Sequence, residues 1–434
     1  MTFGIDLGTT YSLIGAGDEL YSGLVSSTVD MENKRQCGRD AIGTHIKSGY
    51  KIDMTQGASG QVPIKCSSIV LRELARQAEE KTGVKVEDVI ISVPAKFTHI
   101  QRLAVIDAGS LADLNVKAVI NEPTAAAIYC CLDKPGLYMV YDLGGGTFDV
   151  SIVYVDATSV RVVCTDGLGE LAGNNFDRAV LNRLCSKHKV QVRYRTPIAN
   201  QEMLCAIQQA KEDFQKDGIT KKISLAPYSM PGSYELTKEE YLEAMKVFEP
   251  TLNLCRELLA TLMGLEEPKI LFVGGSTACP YLRKWVCKEL QLEQMPMSVQ
   301  PDMLVARGVA KYAWLVDNGY DIIQDVTKQL SIADAVGVAQ AVIFQDSPLP
   351  AQGELLIVNP TACNTLEVDL FQGDDCIATN NDYIGTLEFD YGERVEAGEG
   401  IVNVTVTVDI NGLVQLTGMD LRTGATQSIQ LKVR

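Results

Sequence analysis

Two short stretches carry the residue types of phosphate chemistry. The first is Asp6-Leu7-Gly8-Thr9-Thr10, at the end of an apolar run that begins at Phe3. The second is Asp142-Leu143-Gly144-Gly145-Gly146-Thr147-Phe148-Asp149, at the end of a run from Leu137. Each sets a carboxylate at a strand end, then a glycine turn, then a hydroxyl. Such a turn offers backbone N–H groups to phosphate oxygens, and the carboxylate suits a metal-bound water. Taken alone, the first stretch is equally readable as a hairpin turn. The second is more telling, because three successive glycines weaken a strand unless backbone must come close to something. As a pair, the two read as a clamp on an oligophosphate. Gly274-Gly275-Ser276 follows another apolar run and fits a phosphate or ribose contact. Neither a G-x-x-x-x-G-K-[ST] loop nor a G-x-G-x-x-G after the first strand is present. His45, His99 and His188 lack metal-ligand spacing. The twelve cysteines form no C-x-x-C cluster and are expected as reduced, mostly buried thiols. Cys130 and Cys131 are too close in sequence for an unstrained bridge.

The elements that must hold these loops are legible as patterns. Phe3 to Leu7 reads as a strand. Ser67 to Lys81 has a helical apolar face (Ile69, Val70, Leu74, Ala78) with a serine cap. Asp88 to Val93 is a β-branched run closed by Pro94, the mark of a buried strand. Thr98 to Leu111 reads as a helix, and VKAVINEPTAAAIYCCL as a strand entering an Ala-rich helix. Strands at 137–142 and 148–155 flank the triple glycine. Helices are expected at Phe176 to Ser186, Asn200 to Gln215, Thr237 to Met263 (opening T-K-E-E, a capping-box pattern) and Pro280 to Leu290, with a strand at Lys269 to Val273. The strand–glycine–strand unit at 3–14 recurs at 137–155, a weak repeat of two related lobes.

Near residue 320 the helical periodicity stops. Short β-type runs alternate with turns at Gln372-Gly373-Asp374, Asn380-Asn381-Asp382 and Asn411-Gly412. Val402, Val404, Val406 and Val408 alternate with Asn403, Thr405 and Thr407. This texture predicts a β-sandwich, with Tyr320 to Val326 as the natural linker.

The chain has 434 residues, suggesting about three folding units. Its 39 basic and 55 acidic residues give 39 − 55 = −16. That balance disfavours binding to a nucleic-acid backbone, which needs dense Lys and Arg. No apolar run reaches the about 18 residues of a membrane span, and MTFGIDLGTT lacks the basic and apolar regions of a signal peptide. A cytoplasmic protein without nucleic-acid or membrane partners is expected.

GIDLGTTYS, ISVPAKFTHIQRLAVIDAG, VINEPTAAA, YDLGGGTFDVSIV, FVGGST and QPDMLVARGVA occur in that order. Together they resemble the ATPase domain of the 70-kDa heat-shock protein (DnaK-like) chaperones. DVT, FQG and DINGLVQLTGMDLRTG resemble that family's substrate-binding sandwich. The resemblance implies an α/β actin-like, two-lobed ATPase (duplicated ribonuclease H-like lobes) at 1–318, divided at about 136. A linker at 319–325 and an all-β sandwich at 326–434 follow. It implies ATP/ADP and Mg²⁺ as cofactors, with K⁺ a further candidate. Thr9, Thr10 and Tyr11 match the first phosphate loop, and Gly144, Gly145, Gly146 and Thr147 the second. Asp6 and Asp142 match carboxylates that hold Mg²⁺ through water. Glu122 and Asp149 match the acids that orient the attacking water. Gly8, Gly173, Lys211, Gly274, Gly275, Ser276 and Asp302 fall at further nucleotide contacts. Lys47 matches the lysine that meets the γ-phosphate, with Lys51 as the alternative and a solvated surface lysine as the plain reading. Pro94 and Arg102 match residues that couple nucleotide to peptide, although Pro94 also serves as a strand terminator. Ile322 and Ile323 are the apolar part of the linker. Leu366 and Val368, with Leu356 or Ile357, match a pocket for an apolar side chain of an extended peptide; plain core packing explains each equally well.

Departures from the family pattern are specific. The segment before ISVPA is short. The adenosine helix E-x-A-K-x-x-x-S reads Gln208-Gln209-Ala210-Lys211-Glu212-Asp213-Phe214-Gln215. GGSTRIP reads GGSTACP, so an adenine-stacking arginine is Ala278, removing a contact worth about 1 kcal/mol. Weak ATP affinity or relaxed base choice is expected. Ala118 replaces an arginine used by J-domain partners, which argues against that co-chaperone; an exchange factor stays open. The family's helical lid is not among these residues, so peptide held without a lid is the expectation. The leading reading is an ATP-hydrolysing chaperone for unfolded or extended peptide segments. A non-catalytic co-chaperone or assembly factor on the same scaffold is the alternative. A sugar kinase or filament of the actin fold fits neither the sandwich nor INEPTAAA.

Overall fold

The computed structural model describes the whole chain except residues 32–36, 38–45, 48, 55–60, 157–158, 263–265, 297–298, 321–325, 327, 346, 411 and 431–434. It is mixed α/β with several sheets. The chain divides into two compact units. The first comprises Met1–Pro135, Val153–Cys164 and Ala306–Arg434; the second comprises Gly136–Ile152 and Thr165–Val305.

In the first unit, strand Phe3–Asp6 lies between Tyr11–Ala16, antiparallel to it, and Asp88–Val93, parallel to it. Asn115–Asn121 continues the parallel edge. The run DVIISV is buried along five of its six residues, as expected of a parallel strand covered on both faces. Helix Gln61–Thr82 contributes Cys66, Ile69, Val70 and Leu74 to the core that also holds Phe3, Val89 and Ile91. It starts earlier than its apolar stripe suggested. Ser67 and Ser68 are therefore buried inside it rather than capping it, and the Ser68 hydroxyl donates to the Lys65 carbonyl at 2.8 Å. Helix His99–Leu111 begins on Thr98, whose hydroxyl accepts from the Gln101 N–H while the Gln101 side chain accepts from the Thr98 N–H. This reciprocal cap satisfies two otherwise orphaned donors.

Helix Leu304–Asp317 carries the LVARGVA part of a sequence motif. Its residues Val305, Ala306, Val309, Ala310 and Ala313 are buried at helical spacing. Its end is tied to the N-terminus: the Asp317 carboxylate accepts from the Thr2 N–H at 2.7 Å and the Thr2 hydroxyl at 2.6 Å.

From Leu330 the chain builds two four-stranded antiparallel sheets. One holds Leu330–Ala333, Ala339–Ile343, Cys363–Gln372 and Asp382–Val395; the other Ala351–Val358, Ile401–Val408, Val414–Asp420 and Thr426–Gln430. Leu330, Ile332 and Phe389 from the first share one core with Val402, Val404, Val406 and Leu416 from the second. The period-two alternation selects which valines enter it. The linker residues Ile322 and Ile323 lie outside the described residues.

Strands Gly136–Leu143, Phe148–Val155, Val160–Leu168 and Lys269–Val273 form one sheet, most of which belongs to the second unit. The helices of that unit include Gly173–His188, Pro197–Asp217 and Pro280–Leu290. The expected helix from Thr237 is divided into Lys238–Met245, a tight turn at Lys246–Phe248, and Glu249–Thr261. Pro250 explains the break, since it lacks an N–H and is tolerated only in a first turn; Met263 lies outside the described residues. The hairpin Lys221–Ser224/Ser233–Leu236 had no clear sequence signal. All twelve cysteines are free. Among the described residues no helix is long and apolar enough to cross a membrane.

Candidate functional site

Parallel register gathers the first cluster. Ile5 pairs with Ile91, and Ser92 pairs with Ile120, so the ends of three strands emerge side by side. Asp6 closes the first strand, and Glu122 opens the helix that follows the third. The Ser92 hydroxyl donates to Asp6 Oδ1 at 2.9 Å. Lys51 joins from the short helix Tyr50–Asp53, with its Nζ 2.6 Å from Glu122 Oε1. It also lies 5.8 Å from the Phe97 ring centre.

Burial, and then the Glu122 charge, push the Asp6 carboxyl up to about 7; Lys51 and the Ser92 hydroxyl act against them. Two largely shielded acids facing one lysine favour an added cation. Among the described residues no group of three His, Cys, Asp or Glu could hold a metal by itself. Mg²⁺ does not need one, because it keeps several waters and takes one or two carboxylates plus phosphate oxygens. Asp6 and its neighbours fit that requirement.

Lys47 does not join this cluster. It is exposed on the two-residue strand Ile46–Lys47, paired with Val29. Lys51, the alternative, is 4% exposed and pairs with Glu122. Spacing alone could not choose between two lysines four residues apart.

The turn after Asp6 is held by two serines that sequence reasoning overlooked. The Gly8 N–H donates to Ser12 Oγ at 3.1 Å, the Ser27 hydroxyl donates to the Gly8 carbonyl at 2.7 Å, and the two hydroxyls are 2.9 Å apart. Thr9, Thr10 and Tyr11 are half-buried on this turn.

The second unit gathers the other glycine loops by backbone bonding. The Gly144 carbonyl accepts from the Gly173 N–H at 3.0 Å and from the Ser276 hydroxyl at 2.9 Å. The Gly145 carbonyl accepts from the Asn174 N–H at 2.9 Å, and the Gly144 N–H donates to the Thr147 carbonyl at 3.1 Å. Gly274 has φ +84°, and a Cβ there would lie 2.5 Å from the Leu143 carbonyl and 2.6 Å from Asp142 Oδ1. Only glycine fits, and Asp142 is thereby placed beside the third loop. A Cβ on Gly173 would lie 2.5 Å from Ser276 Oγ and 3.3 Å from Lys211 Nζ.

Lys211 is buried and ion-paired with Asp177 at 2.8 Å. Burial raises the Asp177 carboxyl, and Lys211 opposes that shift. Asp302 lies near Gly275; its Oδ1 is buried without a hydrogen-bond partner, and burial raises its pKa. Gly146 and Thr147 are half-buried. Asp149 lies against the backbone of Gly167, where a Cβ would come within 2.6 Å of Asp149 Oδ1.

Among the peptide-pocket candidates, Leu366 and Val368 are buried in the sandwich core, and Ile357 packs against it. Leu356 is 58% exposed on strand Ala351–Val358. The geometry thus matches plain core packing for Leu366 and Val368. Arg102 is buried, with its guanidinium donating to Asn121 Oδ1 at 2.6 Å and to the Phe97 carbonyl at 3.2 Å. Burial pushes it down to about 10, and Asp409 opposes the shift. The Pro94 carbonyl accepts from the Phe97 N–H at 3.0 Å, closing the turn into this helix. A Cβ on Gly412 would lie 3.4 Å from Arg102 Cδ. His99, missed as a site residue, is 1% exposed, and its Nδ1 accepts from the Val414 N–H at 3.0 Å. The sandwich hairpin around Gly412 is therefore seated on the start of helix His99–Leu111. Only the matching of distant segments could reveal this.

A family model described as Hsp70 protein matches residues 32–434 of the chain.

Proposed function

The chain belongs to the Hsp70 protein family, and from that premise we propose that it binds extended apolar peptide segments under the control of ATP binding and hydrolysis. The Asp6–Glu122–Lys51 cluster carries this reading. Asp6 and Asp142 are the carboxylates that would hold Mg²⁺, which would neutralise phosphate charge. Thr9, Thr10, Tyr11, Gly144, Gly145, Gly146 and Thr147 take the phosphates, while Gly8, Gly173, Lys211, Gly274, Gly275, Ser276 and Asp302 shape the rest of the nucleotide site. Glu122 and Asp149 orient water for attack on the γ-phosphorus. The bond from that phosphorus to the bridging oxygen breaks as the new one forms, leaving ADP and phosphate. Catalysis of this kind is mainly positioning and charge neutralisation. Lys51, rather than Lys47, is the lysine that meets the γ-phosphate. Arg102, with Pro94, transmits the nucleotide state to the hairpin seated on its helix. Leu356 offers apolar surface to peptide. We place the division into lobes near residue 137 and the start of the sandwich near 326.

Two features favour a non-catalytic binder. Lys211 is committed to Asp177, and Ala278 stands where the family pattern has an arginine. Single-turnover ATP hydrolysis with Mg²⁺ separates the readings, using wild type, Thr147→Ala, Lys51→Ala and Lys47→Ala. The catalytic reading expects turnover in wild type and Lys47→Ala, and its loss in the other two. Nucleotide binding with no turnover in any of the four would leave the binder.

A further inference from the structure

Five successive residues of strand Asp88–Val93, from Val89 to Val93, have no exposed surface, and Ser92 alone among them is polar. Placing a hydroxyl in such a run without a partner costs about 1–3 kcal/mol. Its partner is Asp6 Oδ1, at 2.9 Å. The contact is set by register, since the pairing of Ile5 with Ile91 leaves positions 6 and 92 adjacent at the strand ends.

The terminal torsion of an aspartate is broad and two-fold, so nothing intrinsic fixes which oxygen faces where. Lys51 would also draw a free carboxylate and Glu122 repel it. We propose that Ser92 is a positioning residue for the metal site. Its hydroxyl occupies Oδ1 and so turns Oδ2 toward the metal-bound water. The proposal rests on the nucleotide reading above. It assigns the serine a role beyond packing, because valine or isoleucine would fill this strand position at least as well.

The test is ATP affinity by calorimetry, in Mg²⁺ and in EDTA, for wild type, Ser92→Ala, Ser92→Thr and Ser92→Val. Thr and Val match in shape and differ in the hydroxyl, so they carry the comparison if Ser92→Ala folds poorly. The affinity gain due to Mg²⁺ is expected to fall roughly tenfold in Ser92→Ala and Ser92→Val, the value of a hydrogen bond to a charged group. Affinity in EDTA should stay at the wild-type value, and Ser92→Thr should restore the gain. An equal loss in Mg²⁺ and EDTA, or an intact Mg²⁺ gain in Ser92→Ala and Ser92→Val, overturns the proposal and leaves the nucleotide reading standing. A wild type without any Mg²⁺ gain overturns both, and is seen before any variant is compared.

Discussion

The acid cluster around Asp6 and the glycine loops around Lys211 solve the same problem by different means. In the first, three side chains from separate elements share one buried space, with two acids against one lysine. In the second, the lysine is matched one-to-one by Asp177, and the loops are laced by backbone hydrogen bonds. The first region is left electrically unfinished, so it should respond to cations and pH. The second is complete in charge and depends on the absence of side-chain volume.

The largest effect is expected from breaking the balanced pair. Lys211→Met strands the Asp177 carboxylate in a buried place and should cost about 3–5 kcal/mol in urea unfolding. Adding Asp177→Leu should recover much of that. If the single and double variants are equally unstable, the pair is not a balanced unit.

Gly274→Ala comes next. The left-handed backbone and the Leu143 carbonyl at 2.5 Å together should cost about 2–3 kcal/mol. The same substitution at Gly83, also at positive φ but with open space around it, should cost less. Equal losses at both positions would mean that backbone strain alone acts.

The acid cluster predicts a pH effect of definite sign. Asp6 ionises near 3.8 when unfolded and near 7 when folded. Between those values the folded protein holds the extra proton, so stability without metal falls as pH rises through the window. The slope reaches at most about 1.4 kcal/mol per pH unit. Asp6→Asn should flatten it, as read from unfolding midpoints between pH 5 and pH 8. An unchanged slope in the variant would place the titrating group elsewhere.

A smaller effect is expected at the sandwich contact. His99→Ala removes the acceptor of the Val414 N–H and should cost about 1 kcal/mol. Faster hydrogen exchange at Val414 would locate the loss. Lys47→Ala should be the mildest, within about 0.5 kcal/mol, as for an exposed side chain.

Much of the candidate site was readable before folding was considered. The two carboxylate–glycine–hydroxyl stretches, the capped helix at Thr98 and the alternating valines of 402–408 are local patterns, and the structure has them where the spacing put them. Local pattern left two outcomes open where a residue has two uses. Ser67 looked like a cap because hydroxyls favour helix starts, yet the helix continues through it. Leu366 and Val368 belong to an alternating strand whichever face is lined, and the facing sheet put them in the core.

The sequence by itself determined the local conformations: glycine where backbone must turn or approach, β-branched runs for buried strands, and a proline that divides a helix. These follow from steric and burial preferences acting over a few residues. Only the tertiary structure decided which lysine meets Glu122, which serine holds Asp6, and which histidine receives the sandwich hairpin. Those partners are 71, 86 and 315 residues apart. Strand register and packing set such distances, and no spacing along the chain encodes them.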